Sequence, residues 1–204
     1  YGGSGSGKTI LVGSLAAKYK TLFLNTEGLG PQSLNVYPDW FKNLDIINID
    51  TITDFDTCIE RLLKGGHDYK AVVLDSLTNF QFVMSDEIIQ NELSNDAQDI
   101  KKGRKVYKPH DPDMLEQMDW GKILHRMWLK VTKLQYLALT QGIHVAVTCQ
   151  LGEKLDPRDK EKKEMIYFPS LRGAWQAMIG QYFSLYAYLS GESYERGKDV
   201  VFQN

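Results

Sequence analysis

Two hydrophobic rhythms alternate along the chain. Short apolar runs that end on polar residues, TLFLNTEG, LDIINID (residues 44 to 50), YKAVVLDS and IHVAVTCQ, fit buried parallel strands covered on both faces. Between them, apolar residues recur three and four apart, as on one face of a helix. This period runs through ILVGSLAAKY, through TDFDTCIERLLKGG from Thr53, from Leu77 to about Leu93, and through MLEQMDWGKILHRMWLKVTKLQYLALTQG to Gly142. Asp54 and Asp56 sit in the first turn of the second helix and Gly65-Gly66 stops it. Residues 94 to 112 lose the period and carry KKGRKVYKP, which predicts a surface loop or irregular excursion. A second polar loop, GEKLDPRDKEKKE, leads to IYFPSLRG, a helix near AWQAMIGQY, a strand FSLYAYLS and a last short strand DVVFQ. No internal repeat is present, and the alternation predicts an α/β fold with a mainly parallel sheet and helices on both faces.

Size and composition narrow the class. The 204 residues suit one α/β domain with a substantial core, and 43% hydrophobic with 25% charged residues is the balance of a globular protein. A formal net charge of −2 gives no global attraction to nucleic acid, so any such contact is local. Cys58 and Cys149 lie in apolar stretches and are expected as buried, reduced thiols, a cytosolic pattern. No run approaches the roughly 18 apolar residues of a membrane helix, and no signal peptide is visible. Trp40, Trp120, Trp128 and Trp175 are expected as core or interface aromatics.

Chemistry enters with YGGSGSGKTI. Gly2, Gly3, Ser4, Gly5, Ser6, Gly7, Lys8 and Thr9 match the phosphate-binding loop G-x-x-x-x-G-K-[ST] without exception. Glycines admit φ > 0 and bring backbone N–H donors up to phosphate oxygens, where side chains would collide. Lys8 is placed to neutralise β and γ phosphates, and Thr9 opens a helix whose N-terminus favours anions and whose hydroxyl suits Mg²⁺. A Gly/Ser linker shares this composition, but Lys-Thr followed by helical periodicity argues against it. ATP or a similar nucleotide is the expected ligand. Such a loop normally follows a strand, and only Tyr1 precedes it, so the natural protein is expected to begin several residues earlier with a short β-rich run.

Three strand ends supply the remaining groups. Asp75 closes VVLD, where a phosphate-loop enzyme needs a second carboxylate toward Mg²⁺; its alternative is a turn or cap. Ser76 reads as a helix cap, with a supporting hydrogen-bond donor to the site as its second reading. Glu27 closes the strand after the loop helix and is the candidate to orient and deprotonate water, or else a plain loop carboxylate. Gln150 ends IHVAVTCQ, where an amide either senses the γ-phosphate or caps backbone groups.

The order GGSGSGKT, FLNTEG, VVLDS, VTCQ resembles the RecA-like recombinase core. It looks closer still to short phage-encoded nucleotide-binding ATPases related to the Sak-type single-strand annealing proteins. That family similarly follows its sensor strand with a Pro-x-Leu-x-Gly turn, a helix and a strand ending in Tyr-Leu, as in IYFPSLRGAWQAMIGQYFSLYAYLSGE. The resemblance covers essentially the whole chain and implies one RecA-like P-loop ATPase domain over residues 1–204, an ATP-hydrolysing enzyme using ATP and Mg²⁺. By position it makes Lys8 and Thr9 the phosphate and Mg²⁺ ligands, Asp75 the metal-side carboxylate, Glu27 the water activator and Gln150 the sensor. It also implies single-stranded DNA as partner, held by loops after the Asp75 and Gln150 strands. The first contains Lys101, Lys102, Arg104, Lys105, Tyr107 and Lys108, a basic run with one aromatic; the second, Lys154 to Glu164, nearly cancels in charge and reads as solvated surface. A homo-oligomeric ring or filament is implied, with Arg172 the candidate finger toward a neighbour's nucleotide, together with phage recombination or replication partners in the cytoplasm of an infected bacterium. Neither loop reproduces the glycine-rich recombinase loop, which leaves strand exchange and annealing both open. Two further classes share the phosphate loop: a small-molecule kinase, with Arg158 in a lid-like loop, and a noncatalytic nucleotide-gated assembly component.

Overall fold

A computed structural model describes residues 1–28, 30–106, 111, 115, 117–158, 164–190, 192–196 and 199–203, of which 117, 118, 192–196 and 199–203 are described in backbone only. Four parallel strands form its centre: β1 (Thr21–Asn25), β2 (Leu44–Asn48), β3 (Ala71–Asp75) and β4 (His144–Val147), in the order β2-β1-β3-β4. Because successive side chains of a strand face opposite ways, each buried run feeds two cores. Leu22, Leu24, Val72 and Leu74 face α2 (Ile52–Lys64), α3 (Leu77–Lys101) and α4 (Gln117–Gln141) through Phe55, Ile59, Phe80, Met84, Met127 and Leu134. Phe23 and Val73 face the other way, onto Ala16, Leu34 and Leu44, beside α1 (Lys8–Gly13). The expected α/β fold with helices on both faces is the one observed.

The helix starts follow local chemistry. Thr51 caps α2, exchanging hydrogen bonds with Asp54 in a complete capping box, two residues before the start read at Thr53. Ser76 caps α3 through the Asn79 N–H. The α3 helix departs from expectation by running on to Lys101, so residues 94 to 101 are helical rather than loop. Those residues are polar, yet they contain neither Gly nor Pro; the stop comes at Gly103, whose φ of 71° suits only a residue without Cβ. The loop helix is shorter than read, with α1 tightening into a 3₁₀ turn over Ser14–Ala17.

The polar loop read over GEKLDPRDKEKKE is in part a strand. β5 (Leu151–Leu155) pairs antiparallel with β6 (Met165–Pro169), an exposed ribbon. Its alternation is hidden because Gly152 contributes no side chain; a Cβ there would collide with the Phe168 ring that folds over it. Trp175 opens the short α5 (Trp175–Met178), continued as a 3₁₀ turn to Tyr182. The stretch FSLYAYLS is not a regular strand: Leu189 alone bridges, to Gly2. β7 (Glu192–Arg196) and β8 (Asp199–Gln203), the latter expected from DVVFQ, form a hairpin. Trp175 is fully buried and Trp128 is largely exposed, so the four tryptophans divide between core and surface. Cys58 is half-buried, while burial pushes the Cys149 thiol up to about 12; both are free.

Candidate active site

The phosphate loop leaves the sheet between β4 and the segment ending at Leu189. Gly2 bridges in parallel to both Gln150 and Leu189, its N–H donates to the Cys149 carbonyl (3.3 Å), and the Tyr1 carbonyl accepts from Leu189 N–H (2.8 Å). Tyr1 and Gly2 thus stand where the strand before the loop is expected. A glycine is required at position 2, since a Cβ would collide with the Leu189 carbonyl oxygen and lie 2.6 Å from Ser6 Oγ. Gly5 (φ 72°) and Gly7 (φ 85°) make the left-handed turns that fold the loop over the N-terminus of α1. Lys8 returns across it, its Nζ donating to the carbonyls of Gly2 (2.8 Å) and Gly3 (2.7 Å).

Parallel register brings the other groups to the same sheet edge. Asn25 lies opposite Asp75 and Leu74 opposite Val147, so Thr26, Asp75 and Thr148 emerge side by side. Thr9 Oγ1 donates to Asp75 Oδ2 at 2.7 Å, and Thr148 Oγ1 donates to Oδ1. Burial pushes the Asp75 carboxyl above the usual range and Glu27 adds to this, while the two threonine hydroxyls and Lys8 oppose it. Thr26 latches the ends of β1 and β3 together: its hydroxyl donates to the Ser76 carbonyl and accepts from the Ser76 N–H, both at 2.8 Å.

Glu27 is held next to this carboxylate. Its Oε1 accepts from Ser76 Oγ at 2.7 Å and from Gln150 Nε2 at 3.3 Å, while Oε2 accepts no hydrogen bond among the described residues. Buried Asn25 fixes the backbone by accepting from the Glu27 N–H (3.1 Å) and donating to Asn48 (2.9 Å). Gln150 is fixed too, its N–H donating to Thr78 Oγ1 and its carbonyl accepting from Ser170 N–H (2.7 Å). Lys8, Thr9, Glu27 and Gln150 line one cavity of about 420 Å³, the size of an ordinary ligand pocket.

A family profile described as AAA domain matches residues 1–203. The chain belongs to the AAA domain family. No curated protein matches it. The family is one of P-loop ATPases, which agrees with the parallel sheet and with the loop at its edge. In this AAA domain the cavity fits a nucleotide with its metal: a glycine turn supplies N–H donors, Lys8 supplies charge, and Thr9 with Asp75 supplies hard oxygens of the kind Mg²⁺ takes beside phosphate oxygens. Among the described residues no group of three or more His, Cys, Asp or Glu could hold a metal ion. Among them, too, no helix is long and apolar enough to cross a membrane.

The basic run of this AAA domain lies elsewhere. Lys101 ends α3 and Lys102, Arg104 and Lys105 follow, all exposed, with Arg104 paired to Asp99 at 3.1 Å; Tyr107 and Lys108 fall outside the described residues. A helix of 25 residues, about 37 Å long, separates them from Asp75. Of the second loop, Lys154 lies over the Phe168 ring and Arg158 pairs with Asp156 at 2.9 Å, while residues 159–163 fall outside the described residues. Arg172 sits between the rings of Phe82 and Trp120, each centroid 5.2 Å away.

Sequence reasoning passed over Thr148, placed Asn25 and Thr26 at the carboxyl end of their strand without a role, and saw Ser76 chiefly as a cap. Each lies within two residues of an assigned position, a signal usable only once strand order is known. Thr148→Val removes a donor from a buried carboxylate without changing its volume. The expected result is a loss of about 1–3 kcal/mol in stability by denaturant unfolding. Because the hydroxyl holds the Asp75 pKa down, the acid limb of nucleotide hydrolysis should also move to higher pH. An unchanged melt and pH profile would remove Thr148 from the site.

Proposed function

We propose that this AAA domain is a Mg²⁺-dependent ATPase that acts on single-stranded DNA during phage recombination, annealing or replication, as a homo-oligomer in the cytoplasm of the infected bacterium. The observation that carries the reading is the junction of Glu27 with Gln150 at the mouth of the phosphate loop. Bound Mg²⁺–ATP supplies the electrophilic γ-phosphoryl group and neutralises part of its charge. Glu27 Oε2 is the atom that takes the proton of an attacking water, while Ser76 keeps the carboxylate aimed through Oε1. Lys8 exchanges its two carbonyl partners for phosphate oxygens, and Thr9 with Asp75 holds the metal side. Gln150, joined at once to Glu27 and to the start of β5, passes the nucleotide state into the β5–β6 ribbon.

The DNA part of the reading rests on the resemblance of the four motifs and on the basic and aromatic residues beyond the strand ends. Its test is steady-state phosphate release from ATP with and without single-stranded oligonucleotide, at low and physiological salt. Stimulation by the oligonucleotide is the expected result. Hydrolysis indifferent to DNA would overturn the DNA reading, phosphate transfer to a nucleoside without release would mark a kinase, and tight binding without turnover would mark a nucleotide-gated assembly component.

A further inference from the structure

We infer that Arg172, seated between Phe82 and Trp120, is the contact for single-stranded DNA, its guanidinium meeting a backbone phosphate while the Phe82 ring stacks on a base. The inference rests on the DNA reading above and moves the contact from the far tip of α3 to its first turns.

Three observations on one surface converge. First, the guanidinium is planar and held at 5.2 Å from each of two ring centroids, yet among the described residues no carboxylate pairs with it. Stacking fixes the plane of the group and leaves its N–H donors for an anion, the geometry that suits phosphate recognition. Second, Phe82 is 45% exposed, an unusual place for a phenyl ring on the first turns of a helix; an aromatic face beside a cation is the repeated unit of sequence-tolerant single-strand binding. Third, the loop is built rather than free. Leu171 and Trp175 are buried on either side of Arg172, Trp175 Nε1 donates to the Leu124 carbonyl (3.1 Å), and the Arg172 N–H donates to Oε1 of buried Gln81 at 2.8 Å.

The same loop is wired to the nucleotide site. The Ser170 N–H donates to the Gln150 carbonyl at 2.7 Å, two residues before Arg172, and Gln150 Nε2 reaches Glu27. A shift of Gln150 toward or away from a γ-phosphate therefore pulls directly on the strand end that carries Arg172. The basic tip has no such link, because about 37 Å of helix intervene. Phe82 is the sixth residue of α3, one turn beyond Thr78, whose hydroxyl accepts the Gln150 N–H at 3.0 Å.

The test is fluorescence anisotropy of a labelled oligothymidine titrated with the full chain in Mg²⁺ and ATP, across a salt series. Arg172→Ala is expected to weaken binding about tenfold and to flatten the log–log salt slope by about 0.7, one phosphate's worth for a single strand. Arg172→Lys should restore the slope, since it keeps the charge, but not the full affinity. Phe82→Leu, which preserves apolar packing, should weaken binding by about five- to a hundredfold with no change of slope. If Arg172→Ala does not fold, Phe82→Leu carries the test alone. Wild-type binding with both variants unchanged would overturn this contact while leaving the DNA reading intact; no binding by the wild type would overturn both.

Discussion

Glu27→Gln is expected to bind ATP as the wild type does and to hydrolyse it about 10²- to 10⁴-fold more slowly, the ordinary worth of a positioned general base. The amide is nearly isosteric, so the partners around it survive in part: Ser76 Oγ can still donate to the side-chain oxygen, and Asn25 still fixes the backbone. Only the proton acceptor is lost. Glu27 contributes no group to the glycine turn or to Lys8, which is why affinity is expected to stay within about twofold. Single-turnover phosphate release and calorimetric ATP binding, run side by side, separate the two effects. Normal turnover would make Glu27 a bystander, and weakened binding with normal turnover would assign it to the ligand instead.

Lys8→Ala should abolish measurable nucleotide binding, by a hundredfold or more if two charge-assisted hydrogen bonds of about 1.5–3 kcal/mol each are removed. The structure adds a second consequence. Lys8 Nζ is the donor for the Gly2 and Gly3 carbonyls, so its removal loosens the loop even before a nucleotide is met. A thermal melt tells this from general unfolding, because both cores are built mainly from the strands and from helices other than the loop. ATP affinity equal to that of the wild type would remove the phosphate-loop assignment.

Glu27, Asp75 and Gln150 were legible because each ends an apolar run, and a buried parallel strand delivers its last polar residue to one edge of the sheet. The phosphate loop was legible because its glycines and Lys8-Thr9 act through backbone geometry written in consecutive residues. Regions governed by weaker local signals misled. Residues 94 to 101 have no apolar stripe, yet helix persists there for want of a stop before Gly103. The ribbon of β5 and β6 was hidden because a half-exposed hairpin needs only alternating contacts, and Gly152 erases one of them beneath Phe168.

The sequence by itself determined the local chemistry: a phosphate loop, four apolar strands, a helix cap at Ser76, and three polar strand ends. Tertiary structure decided which of these meet. Only the order β2-β1-β3-β4, with Gly2 beyond β4, sets Thr148 against Asp75, Gln150 against Glu27, and Phe82 and Trp120 against Arg172. Those pairs lie between 52 and 123 residues apart, and strand order depends on long-range burial that no local window of sequence contains.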